Sequence, residues 1–301
     1  MLKRAVHFIG FLVNVDDSIL KLRLGDGFEI EKRSQQQVMQ FLSKIGFHYG
    51  LNGTTQGVLG FGTDGKPSGC YCIIKHNVEE LECTPQGGVV IKRARLKEID
   101  QSVRNKVRLL RLFREGNVFL RFSFFYHMKD SELAVFQISK EGILADMTRF
   151  KLEENEISKA HLFLVNNKIP FDKPYVQLAF ESFELSYETH NLGLAFLSLM
   201  IGLEALLNPG QYELRYRISR NAAVLLGKNY EESASIFKEI RELYDKRSNL
   251  VHEGNRKAIG QEDVLILRDY IRKSIKKILT TGSEKQDLIN ALNTKGFGER
   301  H

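Results

Sequence analysis

The sequence predicts an α+β protein, with a β-rich mixed α/β domain over residues 1–168 followed by an all-α four-helix domain over 169–301. Three observations predict this. Before residue 166, short strand-like apolar blocks alternate with helical ones, and after residue 174 every apolar segment has helical spacing. The segment between them, NNKIPFDKP, carries two prolines that punctuate the chain. A length of 301 residues suits two ordinary domains better than one large one.

AVHFIGFLVN (5–14) reads as the first strand. A basic start before an apolar run imitates a secretory leader, but His7 and Asn14 interrupt the run and Asp16 and Asp17 end it. No small-residue cleavage site follows. ILKLRL (19–24) and FEIEKR (28–33) read as two strands joined by a tight Gly25-Asp26-Gly27 hairpin. SQQQVMQFLSKIG (34–46) is a helix with Ser34 as N-cap, Val38, Phe41, Leu42 and Ile45 on the buried face, and Gly46 as terminator. Seven glycines fall in 50–69, but their order is not that of a dinucleotide fingerprint, so the stretch reads as a mobile loop. CYCIIK (70–75) and GVVIKRARL (88–96) read as strands, VRNKVRLLRLFREG (103–116) as a basic amphipathic helix, and NVFLRFSFFYHM (117–128) with ELAVFQIS (132–139) as a second hairpin.

The second half divides into four helices. The first is long, 175–207, and Asn208-Pro209-Gly210 stops it. The second, ELRYRISRNAAVLLG (213–227), ends on Gly227, and the third, ESASIFKEIRELYDKRSNLVHEG (232–254), on Gly254. The fourth, QEDVLILRDYIRKSIKKILTTG (261–282), has acids in its first turn and cations late, as the helix dipole favours. Its Arg268, Arg272 and Lys276 form a basic stripe that reads as complementing the helix's own C-terminus.

Cys70, Cys72 and Cys83 have no metal-ligand spacing, which predicts free thiols in a reduced, cytoplasmic protein with neither metal nor cofactor. No run of about 18 apolar residues occurs, so no membrane partner is expected; the best candidate, 192–207, is short and carries Glu204. The net charge of +7 is uneven: residues 88–127 alone carry +7, while the chain from 170 onward has 19 basic and 18 acidic residues. Any electrostatic attraction for a polyanion therefore belongs to the first half, with Arg104, Arg108 and Arg111 on the basic helix as RNA-binding candidates. A solvated helix face explains the same charges.

The segment LYDKRSNLVHEG (243–254) carries the chemistry. Ile236, Ile240, Leu243 and Leu250 share one helix stripe, and the position missing from it is Arg247. A cation on a buried stripe costs free energy unless an acid, a second subunit or an anionic ligand compensates it. Glu204 is the acid at hand, and a guanidinium fork also suits phosphate. His252 follows five residues later, about 140° around a straight helix, so the two converge only in a frayed last turn or across a two-fold axis.

R247-S-N-L-V-H252 resembles the R-x4–6-H motif of the HEPN superfamily. The run from 199 to 254 is similar to its ApeA-like branch, where E-A-L-L, Y-R-hydrophobic, L-L-G and L-Y-D-x-R-S-x-hydrophobic-V-H recur in this order. The resemblance covers about residues 175–282 and implies a HEPN-type four-helix bundle, a homodimer with both pairs facing one cleft, and metal-independent RNA cleavage. In that chemistry the RNA 2′-hydroxyl attacks the neighbouring phosphorus, His252 moves protons and Arg247 stabilises the growing phosphoryl charge. Ser248, Asn249, Tyr244 and Glu204 are the supporting residues, and Arg217 and Arg220 on the second helix are further RNA contacts. Ser248 stands where many active members have Asn, Asp or His. Two readings therefore stay open: an endoribonuclease of phage defence or a toxin, and a catalytically silent dimerisation or nucleic-acid-binding module.

Overall fold

The structure, a computed structural model, describes residues 2–45, 70–83, 89–90, 92–129, 132–140, 148–208, 210 and 212–298. The expected terminator Gly46 and the glycine-rich stretch 50–69 lie outside them. Described residues through Lys168 form one compact unit and those from Ile169 a second.

The first unit is built on an antiparallel sheet of β1 (Leu2–Val13), β2 (Glu29–Arg33), β3 (Cys70–Cys83), β4 (Val89–Val90), β5 (Phe119–Lys129) and β6 (Glu132–Lys140), in the order β2-β3-β1-β5-β6, with β4 paired to β3. Central β1 is buried on both faces: neighbours Phe8 and Ile9 point opposite ways, and both are sealed from solvent. On one face α1 (Gln35–Lys44) packs Val38, Phe41 and Leu42 onto Ile9, Phe11, Cys72, Ile74 and Phe124. Ser34 caps this helix by accepting from Gln37 N at 3.2 Å, and the Gln37 side chain accepts from Ser34 N in return. Cys70 and Cys72 are free and buried, and burial raises the pKa of both thiols.

Two expectations for this unit are corrected. Residues 19–24 are not a strand: Asp17–Lys21 is a 3₁₀ turn, and β2 pairs with β3 instead. Asp16 starts the turn by accepting from Ser18 N at 3.0 Å, and Lys106 takes the Leu24 carbonyl at 2.7 Å, so that oxygen meets a cation rather than a ladder partner. The chain then reverses through three successive left-handed residues, Gly25, Asp26 and Gly27 (φ 78°, 54° and 73°). Residues 93–96 are not strand either, because α2 (Arg93–Phe113) begins ten residues before the expected helix start. Leu96, Val103, Val107 and Leu110 are fully buried along it at helical spacing. A further helix, α3 (Ile157–Asn166), precedes the boundary.

The second unit is helical: α4 (Pro174–Leu185), α5 (Leu192–Leu207), α6 (Leu214–Leu226), α7 (Tyr230–Glu253), α8 (Gln261–Thr281) and α9 (Lys285–Asn293). The single helix expected over 175–207 is two helices, and the count among the described residues is six rather than four. At the break, 186–191, a side chain from another helix meets the freed backbone. Buried Arg268 of α8 donates through Nη2 to the Ser186 carbonyl at 2.6 Å and through Nε to Ser186 Oγ at 2.9 Å, so that backbone oxygen goes to a guanidinium. Asn191 restarts the chain as N-cap, accepting from Leu194 N at 3.2 Å. Close packing of α5 uses Gly202: a β-carbon there would lie 3.2 Å from both Ala179 O and Ile271 Cδ1. Among the described residues, no helix is long and apolar enough to cross a membrane.

Candidate functional site

Helix α7 places the motif. Asn229 caps its start by accepting from Glu232 N at 2.8 Å, and Gly254, at φ 67°, ends it in the left-handed conformation that glycine adopts without strain. Ile236, Ile240, Leu243 and Leu250 are buried as their spacing requires, and Arg247 on the same stripe remains partly open.

Arg247 sits in a three-residue cluster with Tyr244 and Glu204. Its Nη2 is 3.9 Å from Glu204 Oε1, the outer limit of an ion pair, and its Cζ lies 5.7 Å from the centre of the Tyr244 ring. The Tyr244 hydroxyl donates to the same Glu204 oxygen at 3.2 Å. Burial, then the Glu204 carboxylate, raises the Tyr244 phenol above its ordinary pKa, so it stays a donor at neutral pH. With 32% of its side chain accessible, Arg247 keeps room for a ligand beside its protein partners. Ser248, next along, is half-buried, whereas Asn249 and His252 are exposed. The helix stays regular through Glu253, so no frayed last turn swings His252 toward Arg247, and within one copy the two leave the helix on different faces.

An exposed apolar stripe runs along α5 up to the cluster. Helix α5 is hydrophobic on every side, and Leu194 (57% exposed) and Ile201 (53%) point outward at heptad spacing, with Leu197 half-buried between them. Glu204 follows Ile201 by three residues on that stripe, and Val251 of α7, four residues past Arg247, is 49% exposed.

Other sequence candidates serve the fold. Arg104 (6% exposed) donates to Asp100 Oδ2 at 2.9 Å, to the Leu120 carbonyl at 2.8 Å and to Ser123 Oγ at 3.0 Å, fastening α2 to β5. Arg111 (4%) donates to the Val118 carbonyl at 2.7 Å. Neither reaches a surface where RNA would lie, and Arg108 is half-buried with interactions of its own. Lys106 and Arg114 are also engaged, with Asp26 and with Glu153 and Glu156. The basic segment is thus largely consumed by internal pairing, and its exposed cations cluster at 92–97. In the helical unit Arg220 donates to the carbonyls of Leu292 (2.8 Å) and Lys295 (2.6 Å), capping the end of α9, while Arg217 is exposed and pairs with Glu213 at 3.6 Å.

Arg268 and Arg272 are corrected as well: both are buried, and neither complements the end of α8. Arg272 donates to the Tyr187 hydroxyl at 3.1 Å. Their signal was present in the sequence, since the core positions Val264, Leu267, Ile271 and Ile275 straddle them on the same helix. Among the described residues, no group of three or more His, Cys, Asp or Glu is placed to hold a metal ion.

No family model matches the chain, and neither a curated protein nor a solved structure matches it.

Proposed function

We propose that the helical unit is a HEPN-type, metal-independent endoribonuclease that acts as a homodimer. The observation that carries the reading is Arg247, a cation on an otherwise apolar stripe, oriented by Tyr244 and Glu204 yet open to a ligand. Its spacing to exposed His252, within the four ordered motifs of 199–254, is the resemblance on which the activity rests. Because one helix directs the two residues apart, the site is composite, with cations and imidazoles of two copies lining one cleft. The exposed Leu194, Ile201 and Val251 supply the apolar contact that closes the dimer beside it.

In the reaction the RNA 2′-oxygen bonds to the adjacent phosphorus and the bond to the 5′-oxygen breaks, leaving a cyclic phosphate and a free 5′-hydroxyl. The proton lost by the 2′-hydroxyl goes to a neutral His252 imidazole, and a second His252, protonated, delivers one to the leaving oxygen. Arg247 faces the phosphoryl oxygens, where negative charge grows. Phage defence or toxin action fits such an activity.

A silent dimerisation module is the second reading, favoured by the Glu204 carboxylate beside Arg247. Cleavage of single-stranded RNA in EDTA separates the two. His252→Ala is expected to lower the rate about 10²–10⁴-fold and Arg247→Ala about 10²–10³-fold. The exposed position of His252 should leave the melting temperature of His252→Ala unchanged. Wild type that cuts no RNA, or His252→Ala cutting at the wild-type rate, would favour the silent module.

A further inference from the structure

Strand β1 meets β3 with one irregularity, and two histidines sit at it. Phe8 pairs with Lys75 and Val6 with Glu79, so one residue of β1, His7, faces three of β3: His76, Asn77 and Val78. Asn77 takes up the excess in a left-handed conformation, φ 53°. His76 continues the Phe8–Lys75 register by one step, which sets it opposite His7, and on its other side His7 pairs with Tyr126 of β5. His76, His7 and Tyr126 thus stand in a row across three strands. They share the face that α1 covers two residues further along β1, at Ile9.

The row is packed at one end and open at the other. The Tyr126 ring lies 5.3 Å from that of His7 and 5.4 Å from that of Phe41 on α1. His7 is half-buried, whereas His76 is exposed. The Nδ1 atoms of the two histidines are 3.1 Å apart, with their ring planes at 75°. Two such nitrogens either share a proton or turn both lone pairs on one ion. Around an ion about 2.0–2.1 Å from each, angles between square and tetrahedral leave roughly 2.8–3.4 Å between the nitrogens. The separation found here already suits chelation.

We propose that His7 and His76 chelate one divalent transition-metal ion of the zinc, nickel or copper class. Imidazole nitrogen selects these ions over magnesium and calcium, which take oxygen ligands. Among the described residues no third His, Cys, Asp or Glu completes a cluster with them. Water therefore fills the remaining positions, and the ion exchanges from the solvent side, past His76. The site belongs to the first unit, and its test is independent of the nuclease reading.

Isothermal titration calorimetry tests it, with zinc chloride added to the full chain after EDTA treatment and removal of the chelator. The titration is run at about pH 7.5, where ordinary imidazole is mostly neutral. Saturable binding of one ion per chain is expected, unchanged by excess magnesium. His76→Ala keeps the fold, because the position is exposed, and should weaken binding about tenfold or more, as should His7→Gln. His190→Ala, exposed in the helical unit, should bind as wild type does. Loss of affinity in both His7→Gln and His76→Ala, with His190→Ala unaffected, supports the chelate; if His7→Gln does not fold, His76→Ala decides alone. An absence of saturable zinc binding would mean that the pair only shares a proton, and it overturns the proposal. Wild-type affinity in a folded variant of either histidine, or an equal loss in His190→Ala, places the ion elsewhere on the chain and overturns it too.

Discussion

At the scale of single residues, the same side-chain type does opposite work according to what surrounds it. Arg104, Arg111 and Arg268 are interior fasteners that satisfy backbone carbonyls, whereas Arg247 is held at a partly open edge. Histidines divide in the same way. His252 is exposed, while His7 lies in the first unit with its Nδ1 3.1 Å from Nδ1 of His76 and its ring 5.3 Å from that of Tyr126. Burial first, then His76 and His127, lowers the pKa of His7 below the ordinary histidine value. The unfolded chain therefore binds its proton more readily than the fold does. The contribution of His7 is fully present above about pH 6.5 and is lost as pH falls from there through its folded pKa. The melting temperature of wild type should decline between pH 7 and pH 5, and His7→Gln should flatten that decline. An equal slope in the variant would show that the histidine pair is not its source.

Elements show where local signals suffice. The helix at 35–44 was readable because its cap, its buried triad and its spacing all agree. Helix α7 was readable for the same reason, down to its terminating glycine. The span 175–207 was misjudged: its apolar blocks resume at helical spacing on both sides of the polar run Glu188-Thr189-His190-Asn191, whose last residue caps a new helix, and Arg268, more than seventy residues away, takes the Ser186 carbonyl there. A mutation tests this by its sign. Were 175–207 continuous helix, Asn191→Ala would stabilise it, alanine being the better helix former. With Asn191 as N-cap, the change should instead destabilise by about 0.5–2 kcal/mol, measured by urea unfolding of the full chain. The 3₁₀ turn at Asp17–Lys21 escaped for a related reason: ILKLRL has strand composition, but Lys106 holds the carbonyl that a ladder would use.

For the whole molecule, the exposed apolar face of the helical unit has the greatest consequence. Leu194 and Ile201 stand outward on one stripe of α5, which ends at Glu204 beside Tyr244 and Arg247. If two copies meet there, Ile201→Glu should convert a dimer to a monomer without unfolding it, since the position is already solvent-facing. On the proposed function RNA cleavage should fall with it, because a composite cleft would need both copies. Light scattering coupled to gel filtration reads the first effect and an RNA cleavage assay the second. A wild type that stays monomeric at micromolar concentration would remove the composite site.

From the sequence alone follow the antiparallel pairing of β5 with β6, the ends of α6 and α8 and the glycine that terminates α7. These depend on periodicity, caps and glycines, which act over a few residues and are written locally. Tertiary structure decided which cations are interior. Burial of an arginine depends on carbonyls and acids far along the chain, so Arg104, Arg111 and Arg220 became fasteners that spacing alone does not reveal. It also decided that Arg247 keeps an open side next to Glu204, because that opening is shaped by two helices whose meeting no local pattern encodes.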